Sequence, residues 1–81
     1  MFYVYILKSV SKDTLYVGQT NNLSERLKRH NLGQVISTRS KTPWIIIWST
    51  QKDSRSEALK LEKYLKSLSH SRKLEFISKY S

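Results

Sequence analysis

The chain switches between apolar runs and polar breaks in an order that predicts strands and helices. Residues 2–9 (FYVYILKS) are dense in β-branched and aromatic side chains and predict a first strand. Residues 10–13 (VSKD) supply turn chemistry, and 14–19 (TLYVGQ) predict a second strand, paired with the first as an antiparallel hairpin. Gly18 inside that run points to a bulge or to a close approach of another group to the backbone. A helix begins near Asn22. Glu25, three residues on, comes close to completing a capping box, and Leu23, Leu27 and His30 share one side at helical spacing. Gly33 suits the position just past that helix.

Residues 34–43 (QVISTRSKTP) are polar and basic and predict a loop with room for one short helical turn, ended by Pro43. Residues 44–50 (WIIIWST) are the strongest strand signal. Their apolar run is continuous rather than alternating, so the expectation is a strand covered on both faces at the centre of the sheet. A second helix starts at Ser54 with Glu57 completing a capping box, and Ala58, Leu61, Leu65 and Leu68 form its apolar stripe. Ser69 or Ser71 caps a last helix over about 72–79, with Leu74, Phe76 and Ile77 facing inward. The order ββα, loop, βαα predicts an α+β fold: a three-stranded antiparallel sheet with helices on both faces.

Length and composition narrow the function. Eighty-one residues are expected to make one domain, spanning 1–81. The chain has no cysteine, which excludes disulfides, thiolate metal sites and a Cys nucleophile. No run approaches the roughly 18 apolar residues of a membrane span, and the N-terminus lacks the basic start and cleavage site of a signal peptide. A cytoplasmic, nucleoid-associated protein is the expectation. Fifteen Lys and Arg against six Asp and Glu leave a net charge of +9, which favours a polyanionic partner over a membrane surface.

Several polar residues stand where folding alone does not ask for them. Arg26 and His30 are four apart on the first helix, on the face that also carries Leu23 and Leu27. Taken alone, the pair reads as readily as a cation lying along the core edge beside a hydrogen-bonded boundary histidine. Glu62 is set between Leu61 and Leu65, so its carboxylate needs a partner or a metal; a salt bridge to one of the lysines also satisfies it. Tyr3, Tyr5 and Tyr16 lie on the hairpin, where tyrosine also serves plain packing. No HExxH, Walker loop or GxSxG occurs.

YVY at 3–5, YVG at 16–18 and the ten residues between them resemble the paired half-motifs of the GIY-YIG nucleases. QTNNLSERLKRH at 19–30 is similar to the family stretch with an Arg and a His or Tyr four apart on the first helix, and Glu62 falls where the family places a metal-binding Glu. RSEALKLEKYLKSLS at 55–69 is most similar to the small stand-alone group related to the GIY-YIG domain of the excision-repair nuclease.

The resemblance implies one divalent cation, Mg²⁺ or Mn²⁺, and phosphodiester hydrolysis in DNA, with RNA also open, in repair or recombination. Carried over, Glu62 binds the metal, Arg26 pairs with the phosphate, and Tyr5 acts as base or orients the water. Tyr16 holds phosphate or water, His30 relays a proton or orients a Tyr, and Gly18 permits the tight backbone. The family pattern is broken where Tyr3 replaces the first Gly. Gln19 stands where some relatives carry Lys, and Leu74 falls where many relatives carry an Asn.

With no expected room for a separate DNA-binding part, Lys28, Arg29, Arg39 and Lys41 join Arg26 as the grip on phosphates, which selects structure rather than sequence. A non-catalytic nucleic-acid-binding module on the same fold is the alternative. A monomer or weak dimer is expected, with a repair protein as a further partner.

Overall fold

The computed structural model describes residues 1–80; Ser81, the last residue of the expected domain, lies outside them. The elements run β1 (Phe2–Ser9), β2 (Leu15–Thr20), α1 (Leu23–Asn31), a 3₁₀ turn (Arg39–Lys41), β3 (Trp44–Lys52), α2 (Arg55–Ser67) and α3 (His70–Tyr80). The sheet is antiparallel with strand order β2-β1-β3. The predicted α+β architecture is therefore the observed one.

The expected strand order fails. β3 is not the central strand; β1 is, paired on both sides. Val4, Ile6, Tyr5 and Leu7 of β1 are all 0–1% exposed, whereas Ile45 of β3 is 49% exposed. The continuous apolar run of β3 has a different cause. Ile6 pairs with Trp48 and Leu7 with Ile46, so Ile47 is an extra residue in a β-bulge. The bulge resets the alternation, and Ile47 and Trp48 both pack on one face while Trp44 and Ile46 pack on the other. Period-two reasoning cannot tell this pattern from a strand covered on both sides.

β1 divides its side chains between two half-cores. Val4 and Ile6 join Val17, Ala58 and Leu65 beneath α2 and α3. Tyr5 and Leu7 join Trp44, Tyr16, Leu23, Leu27 and Ile46 beneath α1. Tyr5 and Tyr16 thus enter the molecule on the α1 face, whereas Glu62 comes from α2.

The helix ends follow the expected chemistry. The Asn22 Oδ1 accepts from the Glu25 N–H at 3.2 Å, and Gly33, at φ +75°, follows the C-cap Leu32. The Ser54 Oγ accepts from the Glu57 N–H at 3.1 Å. Ser69 accepts from the Arg72 N–H at 3.3 Å and α3 starts at His70, two residues before the expected point. Phe76 and Ile77 pack inward, with Phe76 edge-on to Trp48 at 5.0 Å between ring centroids. Leu74 does not; it is 44% exposed, on the solvent side of α3.

Candidate active site

Antiparallel pairing places Tyr5 opposite Gly18, with Tyr16 two residues before Gly18 on the same face. A Cβ built on Gly18 would stand 2.6 Å from Tyr5 Cζ and 3.1 Å from Tyr16 Cε2. Gly18 is needed because the Tyr5 ring occupies the space a side chain would take. The close approach expected at Gly18 is thus present.

α1 brings His30 down onto these rings. The Tyr5 hydroxyl lies 3.0 Å from His30 Nε2. The ring centroids of Tyr5 and Tyr16 are 6.5 Å apart, those of Tyr5 and His30 6.0 Å, and those of Tyr16 and His30 5.1 Å. His30 is not at a boundary: it is fully buried, as is Tyr5, while Tyr16 and Arg26 are half-buried and form the accessible front.

Electrostatics follow from this depth. Burial pushes the Tyr5 hydroxyl up to about 12; the Arg26 guanidinium beside it pulls the other way, and the Glu62 charge adds to the rise. Burial, with Arg26 adding to it, pushes His30 down to about 4, so its imidazole is neutral. Arg26 Nε is buried and, among the described residues, has no hydrogen-bond partner. A buried cationic donor in that state is costly and is ready to receive an anion.

Arg26 also lines two adjoining depressions. One, of about 240 Å³, includes Asn22, Glu25 and Arg29; the other, of about 290 Å³, includes Phe2, Gln19 and Arg55; Thr20 and Asn21 border both. α1 and the first residue of α2 therefore face each other around the end of β2. Arg55 escaped the sequence reading, because a cation at a helix start carries no signal of what it faces.

Glu62, on α2, is 17% exposed and pairs with Lys66 at 3.3 Å. The salt bridge left open by the sequence is present, yet it leaves carboxylate oxygen free. No three His, Cys, Asp or Glu side chains cluster among the described residues. The donor set fits a hard cation held by one carboxylate, with water and substrate oxygens completing its shell.

Of the expected phosphate contacts, Lys28, Arg29 and Arg39 are exposed, and Arg29 is tied to Glu25 at 3.2 Å. Lys41 is half-buried, and its carbonyl accepts from Ser9 Oγ at 2.6 Å.

Thr38, Trp44 and Asn31 form a buttress that was not expected from the sequence. His30 Nδ1 is 2.7 Å from Thr38 Oγ1, and Trp44 Nε1 donates to the Thr38 carbonyl at 2.9 Å. Asn31 bridges α1 to β3, accepting from the Trp44 N–H at 2.6 Å and donating to the Trp44 carbonyl at 3.1 Å. Only the polar character of the 34–43 segment was legible; which of its hydroxyls turns inward was not.

Residues 1–75 match the model of the GIY-YIG catalytic domain. The chain is a member of the GIY-YIG family. It is 40% identical over 82 aligned positions to a UPF0213 protein of Clostridium perfringens, covering all of this chain and 87% of that protein. A UPF0213 protein of Natronomonas pharaonis is 36% identical, covering 94% and 89%. The solution NMR structure of a UPF0213 protein from Bacillus halodurans superposes with a TM-score of 0.63 at 31% identity, covering 96% of this chain and 84% of that one. These relatives place the chain in the small stand-alone group of GIY-YIG proteins.

Proposed function

We propose that this chain is a divalent-metal-dependent endonuclease that hydrolyses phosphodiester bonds in DNA and selects its substrate by structure rather than sequence. The observation that carries this reading is the convergence of Tyr5, Tyr16 and His30 beneath Arg26, whose buried Nε has no hydrogen-bond partner among the described residues.

In this reading Arg26 receives the scissile phosphate, where the guanidinium fork suits two oxygens and the charge that grows on them. Tyr16, on the accessible front, orients the phosphate or the attacking water through its hydroxyl. Tyr5 is the base, working against the neutral imidazole of His30. Glu62 would hold the cation. A divalent ion there supplies Lewis acidity to the phosphate and charge neutralisation to the leaving oxygen. Lys28, Arg29, Arg39 and Lys41 extend the phosphate contacts along α1 and the following loop, a surface that positions a backbone without reading bases. A place in repair or recombination is consistent with such selection, and the net charge of +9 suits the polyanion.

The test uses labelled branched, nicked and single-stranded DNA, and the matching RNA, with Mg²⁺ or Mn²⁺ and with chelator. Cleavage is expected with metal in the wild type and at background in Glu62→Ala and Arg26→Ala. Equal products from Glu62→Ala would mark the activity as a contaminant. Binding that weakens steeply with salt, without cleavage under either metal, would make the protein a nucleic-acid-binding module instead.

A further inference from the structure

The protons around His30 can be assigned one by one. The Thr38 hydroxyl lies 3.3 Å from the Val35 carbonyl, an acceptor that also takes the Thr38 and Arg39 N–H groups at 3.1 and 3.0 Å, and the Thr38 proton can point there as a third, longer bond. The Thr38 oxygen, 2.7 Å from His30 Nδ1, is then the acceptor, and Nδ1 carries the proton. In a neutral imidazole Nε2 is left bare, 3.0 Å from the Tyr5 hydroxyl. The same answer comes from the other end. Arg26 beside the Tyr5 hydroxyl has donors only, and Glu62 acts on Tyr5 through its charge without a hydrogen bond among the described residues, which leaves His30 Nε2, at 3.0 Å, as the acceptor for the Tyr5 proton. With the proton on Nε2 instead, Thr38 would donate to Nδ1 and lose its contact with Val35, and the Tyr5 proton would have no acceptor among the hydrogen bonds of the described residues.

We propose that Thr38 is a positioning residue: its buried hydroxyl fixes His30 as the Nδ1–H tautomer, so that Nε2 stands ready to take the proton of Tyr5. The assignment of Thr38 gains its functional meaning from the proposed roles of Tyr5 and His30. In that reading a phenol pushed up to about 12 is not ionised at neutral pH, and an imidazole pushed down to about 4 holds the extra proton only transiently, while the water attacks. With the relay, free phenolate is not required. The water oxygen bonds to phosphorus as its proton passes to the Tyr5 oxygen. The Tyr5 proton passes in turn to His30 Nε2, the bond from phosphorus to the leaving oxygen breaks, and that oxygen is protonated by solvent. The buried imidazolium then returns its proton to the Tyr5 oxygen, which gives up the water-derived proton toward the open front of the site. Thr38 is fully buried and its carbonyl is pinned by Trp44 Nε1 at 2.9 Å, so the hydroxyl is held from β3 as well as by its contact with His30.

The experiment is ¹H–¹⁵N NMR of the histidine rings in the full chain, with His70, which is exposed, as internal reference. In the wild type and in Thr38→Ser, His30 Nδ1 is expected to be protonated and Nε2 bare. In Thr38→Val, which keeps the volume and loses the hydroxyl, the tautomer shifts toward Nε2–H. Cleavage by Thr38→Val is expected to fall about 10- to 100-fold in kcat, by analogy with the loss of a hydrogen-bonded partner behind a metal-ligating histidine, with KM unchanged and activity restored in Thr38→Ser. A proton on Nε2 in the wild type overturns the proposal, and so does a Thr38→Val spectrum that keeps Nδ1–H. The wild-type spectrum decides it even where the valine variant fails to fold. Because the spectrum needs no turnover, an inert wild type would defeat the nuclease reading while the tautomer stands or falls separately.

Discussion

Tyr5 and Gly18 face each other across the β1–β2 ladder, and the Tyr5 ring lies where a Gly18 side chain would be. Tyr5 is buried and bonded to His30, so it cannot swing aside at low cost. Gly18→Ala is therefore expected to destabilise the fold by about 1–3 kcal/mol, the usual range for overpacking a filled core. It should also displace the Tyr5 hydroxyl and lower cleavage. Chemical denaturation checks the first effect. Combining Gly18→Ala with Tyr5→Leu should restore part of the lost stability and none of the activity; strictly additive losses would show that the two residues do not compete for space.

The two tyrosines should separate by substitution. Tyr5→Phe leaves the bare nitrogen of buried His30 without its donor, a loss of about 1–3 kcal/mol in stability. It also removes the proposed base, with an expected drop in kcat of roughly 10²- to 10⁴-fold. Tyr16 is half-buried, with no hydrogen bond from its hydroxyl among the described residues. Tyr16→Phe should then cost activity with little change in urea midpoint. Equal destabilisation by both substitutions would contradict the front-and-back arrangement of the pair.

Buried His30 ties stability to pH. Its folded value of about 4 lies below the ordinary 6.5, so between them the unfolded chain binds a proton that the native protein does not. Stability is full above about 6.5 and is lost as pH falls toward 4. The span corresponds to about 3 kcal/mol. Urea unfolding at steps from pH 7 to pH 4, on wild type and His30→Gln, should show a steeper decline in the wild type. Carboxylates contribute equally to both, so parallel curves would mean that His30 is not held neutral.

The local elements were legible because their signals are local. Asn22 and Ser54 announce helix starts, Gly33 a helix end, and the β1–β2 hairpin its own pairing. Strand order was not, because the bulge at Ile47 gives an edge strand the continuous apolar run of a central one. The site divides in the same way. Tyr5, Tyr16, Arg26 and His30 could be gathered from spacing and resemblance, and the fold brings them together. Thr38 and Arg55 could not be found, because their meaning lies in contacts between segments 8 and 29 residues from the nearest member of the pair they serve, His30 and Arg26. Neither the period of a helix nor that of a strand reaches across such a gap.

The cations around Arg26 should differ in worth. Arg29 is occupied by Glu25 at 3.2 Å, whereas Arg26 and Arg55 line the same depression of about 290 Å³, and neither forms a salt bridge among the described residues. Each phosphate contact adds about one to the slope of affinity against salt. DNA binding can be followed at several salt concentrations with Glu62→Gln, which holds cleavage at background. In that background Arg26→Ala and Arg55→Ala are each expected to lower the slope by about one and to weaken binding alike on unrelated sequences. Arg29→Ala should change it less, because its ion pair with Glu25 competes with the phosphate. A slope unmoved by Arg26→Ala would remove the phosphate from the position proposed for it. A loss confined to one DNA sequence would replace backbone contact with base reading at that side chain.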